Sequence, residues 1–230
     1  MEGRQDRLER MLALLEQCEK ALQDYLETKR IAFPRFYFVS PADLLDILAK
    51  GTNPQLILKH LAKCFDNVHN LKFTLDDEGK PTKQAIGMFS GEGEYVAFDK
   101  PCSCDGSVEV WMQRVVDHMR SGLRAEFCTA LPLYDEKPRA KWIFDQSVQN
   151  TVVITRVAYT QEVNAAFDAI EEGNETALKD VLAKQVTQLA ALIELINGEL
   201  SKNDRKKIVT LCTIDVHARD VPQLPMYSYM

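Results

Sequence analysis

LKFTLDDEGKPTKQAIGMFSGEGEYVAF, residues 71–98, is where the chain changes its hydrophobic period. Leu71-Lys72-Phe73-Thr74-Leu75 alternates apolar and polar residues, the period of a half-buried strand. Asp76-Asp77-Glu78-Gly79 then supplies turn chemistry, the apolar stretch 85–90 a second strand, Gly91-Glu92-Gly93-Glu94 a second turn, and Tyr95-Val96-Ala97-Phe98 a third strand. Three short strands joined by Gly- and Asp-rich turns predict a small antiparallel meander.

Outward in both directions the period is helical. Leu8, Leu12, Leu15, Leu22 and Leu26 recur at three- and four-residue steps, with Glu19 interrupting, so the first thirty or so residues predict one long helix. The stripe lasts only about three heptads, which favours packing on a neighbouring helix over a coiled coil. Pro34 ends that helix, and Arg35-Phe36-Tyr37-Phe38-Val39 reads as extended or strand-like. Ser40-Pro41 opens a helix with Leu44, Leu45, Ile47 and Leu48 inward, closed by Gly51. Asn53-Pro54 opens another, running to about Asn67 with Leu56, Ile57, Leu61 and Phe65 inward.

Beyond the strands, Ser107 caps a helix carrying Val108, Trp111, Val115, Met119, Leu123 and Phe127, which Pro132 ends or kinks. One helix is expected from about Ala140 to Glu172 and another from about Ala177 to the stop at Gly198. The last runs from a Ser201/Asp204 capping box to about Val221. The expected fold is mainly α, an elongated helical bundle over residues 1–221 with an antiparallel β insert at about 71–98, and an irregular tail over 222–230.

Composition narrows the function. The chain has 230 residues, 46% hydrophobic and 27% charged, with a net charge of −6. That balance opposes nucleic-acid binding by phosphate neutralisation and docking on an anionic membrane. Lys202, Arg205, Lys206 and Lys207 form a local basic cluster, read as a solvated helix face. No apolar run is long enough to span a bilayer and the charged N-terminus is no secretory signal, which predicts a cytosolic or cytoskeleton-attached protein.

Catalytic and cofactor motifs are missing from the sequence. No glycine-rich phosphate loop with Lys and Ser/Thr occurs, and the glycines of 91–94 alternate with acids where a phosphate needs positive charge. The six cysteines have no zinc-type spacing, Cys102 and Cys104 lacking a second ligand pair, and the four histidines form no helical metal pair. Catalytic, cofactor and metal residues are therefore expected to be none. Cys64 and His60 lie one helical turn apart, but a nucleophile pair also needs an orienting group and an oxyanion hole. A packed cysteine beside a surface histidine is the plainer reading. The candidate contact residues are the turn acids Asp76, Asp77, Glu78, Glu92 and Glu94, and the pair Asp215 and Arg219, whose i,i+4 spacing suits a helical ion pair. Phe73, Leu75, Phe89, Tyr95 and Phe98 are expected to seat the strands on the helices.

Several stretches, in order and at family-like spacing, resemble dynein heavy chains. They are 26–30 (LETKR), 32–40 (AFPRFYFVS), 43–48 (DLLDIL), 64–67 (CFDN), 87–90 (GMFS), 93–96 (GEYV), 136–139 (EKPR), 142–145 (WIFD) and 212–221 (CTIDVHARDV). The resemblance covers residues 8–221 and is closer to the axonemal outer-arm type than to the cytoplasmic type. It implies the linker, a mostly helical arm lying across a ring of AAA modules, which bends and straightens as the ring hydrolyses ATP and touches it through a β insert. The implied partners are the AAA ring and other dynein-arm subunits, with microtubules reached only indirectly, in a cilium or flagellum. The ATPase modules, the stalk and the tail have no counterpart in these residues, so the chain is expected not to be an enzyme by itself. A free-standing helical scaffold of the axoneme is the alternative, and a Cys64/His60 hydrolase a distant third.

Overall fold

Residues 4–32 lack both Pro and Gly and form a single helix, α1 (Arg4–Ala32), in the computed structural model, which describes residues 3–227. The chain divides into two compact units with the boundary after Gly122.

In the first unit, α1 is buried only at its end. Leu26 is in the core, whereas Leu8, Leu12, Leu15 and Leu22 are exposed, so the expected packing of this stripe on a neighbouring helix is absent among the described residues. The stretch expected as extended after Pro34 is instead a 3-10 helix, Pro34–Phe38. Its tight turn brings residues three apart onto one side, and the buried rings of Phe33 and Phe36 meet edge-on at 4.9 Å. α2 (Pro41–Lys50) starts as expected, with the Ser40 hydroxyl accepting the Asp43 N–H. It buries Leu44 and Ile47 but leaves Leu45 exposed.

The helix expected from Pro54 to about Asn67 is broken. α3 (Pro54–Ile57) passes through a 3-10 turn at Leu58–His60 into α4 (Leu61–Cys64). Ile57, His60, Leu61, Cys64 and Phe65 are buried by this arrangement and Leu56 is exposed.

The meander is present and larger than the alternation indicates. β1 (Val68–Leu75), β2 (Pro81–Ser90) and β3 (Tyr95–Ser103) form one antiparallel sheet in that order. Its seat is Leu71, Phe73, Ala85, Met88, Phe98 and Cys102, all buried. Leu75 and Tyr95, expected in that seat, are exposed, and Phe89 is half-buried. Register irregularities between Phe73 and Leu75 and between Ala85 and Gly87 interrupt the regular pairing on which strict alternation depends.

α5 (Val108–Glu136) supports the sheet. Its Gly122 lies against β3 so closely that a Cβ there would stand 2.7 Å from the Ala97 carbonyl oxygen. Phe98 stacks on His118 with centroids 6.0 Å apart, Ser121 donates to Asp99 at 2.8 Å, and Arg114 donates to the carbonyls of Ser103 and Asp105. Pro132 lies inside α5 instead of ending it. The carbonyl it deprives of a donor belongs to Cys128, an exposed residue, so water can take the place of the lost bond.

The second unit comprises the remainder of α5 with α6 (Arg139–Asp145), α7 (Val148–Glu171), α8 (Ala177–Asn197) and α9 (Lys202–Tyr227). The sequence suggests one helix from about Ala140 to Glu172. The structure breaks it at Gln146-Ser147, where Ser147 caps α7 through the Asn150 N–H and its own N–H is taken by Glu126. Ala130, Trp142, Ile143, Ile154, Leu192, Ile208 and Leu211 make the core, with Tyr134 edge-on to Trp142 at 5.0 Å.

The basic cluster of α9 is not a uniformly solvated face. Lys207 is buried and donates to the carbonyls of Ile143 and Gln146 at the end of α6, while Arg205 donates to those of Ile196 and Gly198 at the end of α8. Both cations satisfy carbonyls that a helix end leaves without donors. α9 also continues to Tyr227, past the end expected at Val221, because a proline removes a helical bond without always ending the helix. Residues 228–230 of the expected irregular tail lie outside the described residues.

Candidate functional site

A three-stranded meander places its two turns at opposite ends. The five turn acids are therefore two groups separated by the length of β2, whose ten residues span roughly 30 Å.

At the β1–β2 end, Asp76 shapes the turn, its Oδ1 accepting the N–H groups of Glu78 at 3.0 Å and Lys80 at 2.8 Å. Gly79 closes the turn with a positive φ of 77°, a conformation that glycine adopts without strain. Glu78 pairs with Lys80 at 2.6 Å, so this end carries less net negative charge than its three acids suggest. Asp77 is exposed beside them. Gln55 fastens the base of this end by donating to the Thr82 carbonyl at 2.7 Å.

At the β2–β3 end, the Ser90 hydroxyl accepts the N–H groups of Glu92 and Glu94, and Gly93 takes a φ of 85°. Glu92 is exposed and Glu94 half-buried. Gly91 donates to Asn67 and leaves no room for a Cβ above His69.

Between the two ends, the sheet's outer face carries a cluster that strand alternation alone does not reveal. Tyr95 lies over Gly87, where a Cβ would meet its ring at 2.5 Å. Its hydroxyl donates to the Ile86 carbonyl, Phe89 packs beside it at 5.2 Å, and the Lys72 ammonium sits 4.8 Å from its ring centroid. A lone glycine inside a strand, like Gly122 inside a helix, is the available signal, since both mark close approach of another group.

Asp215 and Arg219 do not form the expected pair. Asp215 is 1% exposed and accepts both guanidinium nitrogens of Arg139, at 2.7 and 3.0 Å. Arg219 pairs with the neighbouring Asp220 at 2.7 Å. The planar fork of Arg139 offers a carboxylate two bonds in fixed geometry, so it outcompetes a local i,i+4 contact. Asp215 is accordingly an internal group and no surface contact, whereas Arg219 remains partly exposed.

His60 and Cys64 are not partnered either. His60, expected at the surface, is buried, and its Nε2 is 2.9 Å from Asp46. Burial pushes the Cys64 thiol up to about 11, away from the reactive thiolate. Cys102 and Cys104 are both buried, and the described residues contain no group of three or more acids, cysteines and histidines able to hold a metal.

A cluster of charges joins α2 to residues 59–63. Asp46 contacts Lys50 and receives Lys59 at 2.8 Å, while Asp43 receives Lys63 at 2.7 Å. Lys50, then Lys59 and His60, hold the Asp46 carboxyl far below its usual range, and Lys63 with Ser40 lowers that of Asp43. A carboxyl depressed in the folded state adds stability above its ordinary pKa of about 4, and that stability is lost as pH falls through the folded value. The first unit is thus expected to weaken on acidification below about pH 4. Asp46→Asn should reduce both neutral-pH stability and the slope of that acid limb, read by urea denaturation across a pH series.

These contacts belong to a helical scaffold with a firmly seated sheet. A family model described as dynein heavy chain, N-terminal region 2, matches residues 1–130. The dynein beta chain of the flagellar outer arm of Chlamydomonas reinhardtii is 65% identical over 223 residues, 97% of this chain and 5% of that one. The ciliary dynein beta chain of Tripneustes gratilla is 57% identical over 216 residues, 94% of this chain and 5% of its own. Human dynein axonemal heavy chain 9 is 52% identical over 219 residues, 95% of this chain and 5% of its own. The chain therefore spans about one twentieth of the length of these relatives. The matched stretch is a heavy-chain N-terminal region and not an ATPase module. With a family model covering more than half of its residues, this chain belongs to the dynein heavy chain family.

Proposed function

We propose that this chain is a lever segment, the linker, of an axonemal dynein heavy chain. In this reading it carries ATP-driven changes of an AAA ring outside these residues toward microtubule-based ciliary or flagellar movement. The supporting observation is that nearly the whole chain aligns with one twentieth of a flagellar outer-arm beta chain. A packed helical framework suits this role, because close-packed interiors deform little and transmit strain. Microtubules are reached only through the rest of the motor, and neither nucleic acid nor membrane is a partner. The test replaces the corresponding segment of a complete outer-arm motor with a flexible Gly/Ser chain of equal length. Microtubule gliding should stop while ATP turnover persists, and unchanged gliding would refute the lever. The alternative, a scaffold for other dynein-arm subunits, predicts loss of arm assembly with gliding intact.

The sheet is the element proposed to meet the ring. We place that contact at the β1–β2 end, where Asp76, Asp77 and Glu78 are all exposed, whereas Glu94 at the other end is half-buried. Charges of this kind orient a contact more than they tighten it. Charge reversal at Asp77 and Glu78 should slow gliding and leave the fold unchanged by circular dichroism. Asp76 is kept in this test because it holds the turn together. Wild-type velocity in the variant would remove this end from the ring contact.

A further inference from the structure

One side of α1 is covered at its end and bare before it. Leu26 and Phe33 are buried and Lys29 reaches Glu109 of α5 at 2.5 Å, so this chain covers that side at the helix's last turns. The same side continues upstream through Leu22, Leu15, Leu12 and Leu8, which are 42%, 67%, 58% and 60% exposed. Every residue from 4 to 25 is exposed, a stretch of roughly 30 Å. Helices in proteins are held mainly by packing an apolar side rather than by helix propensity. The three- and four-residue steps fit the ridges and grooves of another helix, and neither a sheet nor a loop requires them.

We propose that this side of α1 is the docking face for one amphipathic helix of the same heavy chain, lying outside these 230 residues. Two observations choose that occupant. The bare stripe is continuous with an intramolecular interface at Leu26, Lys29 and Phe33, and leucines in this number require the permanent cover that intrachain packing gives. Glu19, exposed midway along the stripe, argues against a parallel, in-register second copy, because that pairing would set like charges against each other. The docking helix is therefore expected to place Lys or Arg opposite Glu19 and apolar residues opposite Leu15 and Leu22. This inference rests on the reading of the chain as a segment of a longer heavy chain, and holds whether that segment acts as a lever or as a scaffold within it.

The test introduces the photoreactive residue p-benzoylphenylalanine at position 15 of a complete heavy chain carrying this sequence, assembled in its motor. After irradiation, peptide mapping should find the cross-link within the same heavy chain. The linked segment should carry apolar residues at three- and four-residue steps and a basic residue near Glu19. Glu19→Arg should reduce the cross-link yield at least several-fold without altering motor assembly. A cross-link to another copy, to a different subunit or to no segment at all would overturn the proposal.

Discussion

Replacing Asp215 with alanine is expected to destabilise the second unit by about 3–5 kcal/mol, the usual cost of removing one partner from a buried ion pair. The cost comes from Arg139. Its side chain is 12% exposed, and without Asp215 its guanidinium would be a buried charge lacking its two bonds at 2.7 and 3.0 Å. The loss would be concentrated where α6 meets α9, because those elements supply the two residues. Removing both charges together should cost far less, since a buried pair repays little more than its own desolvation. The double variant Arg139→Met/Asp215→Leu is therefore expected to recover most of the loss. Urea denaturation of the parent and the two variants, with hydrogen exchange in α9, provides the measurement. A single variant within about 1 kcal/mol of the parent would mean that the pair is solvated like a surface bridge.

Trp111→Ala is expected to cost the first unit a similar amount, about 3–5 kcal/mol. The indole is 1% exposed and fills the space between the start of α5 and the end of α2, where its Nε1 donates to the Gly51 carbonyl at 3.0 Å. Truncation leaves a cavity and an orphaned acceptor together. Trp111→Phe separates the two effects, because it retains much of the ring volume but cannot donate. An unpaired buried carbonyl costs about 1–3 kcal/mol, so the phenylalanine variant should fall between the parent and Trp111→Ala. Thermal denaturation followed by near-ultraviolet circular dichroism reads the order. If the phenylalanine variant equals the parent, the bond to Gly51 adds nothing.

What could be read from the sequence was local. The alternation of 71–75, the positive-φ glycines at 79 and 93, and the caps Ser40 and Ser201 each specify structure within a few residues, and each recurs in the fold. The break at Gln146-Ser147 was hidden because a helical hydrophobic period continues across it. The conformation of 34–38 was hidden because an aromatic run looks the same extended or in a 3-10 turn. Here the contact of Phe33 with Phe36 decides it. The charge partners were the least legible. Asp215 finds Arg139 from 76 residues away, and Lys207 finds Ile143 and Gln146 from more than 60, whereas sequence spacing suggests only neighbours. The five acids lie in the two turns where the sequence puts them, but their separation into two ends follows from meander topology rather than from composition.

That topology has an evolutionary consequence. The strands are constrained by what they pack on: Gly87 by the Tyr95 ring, and Ala97 by α5 at Gly122. The two turns face a shorter set of demands: the positive-φ glycines 79 and 93, the Asp76 and Ser90 oxygens that accept turn N–H groups, and Gly91 beside His69. The charge at the exposed positions 77 and 92, outside those roles, can therefore drift between duplicated heavy chains while the seat stays fixed. Because the turns lie at opposite ends, a change at one leaves the other unaltered. Paralogous chains can thus vary one turn at a time on a shared scaffold.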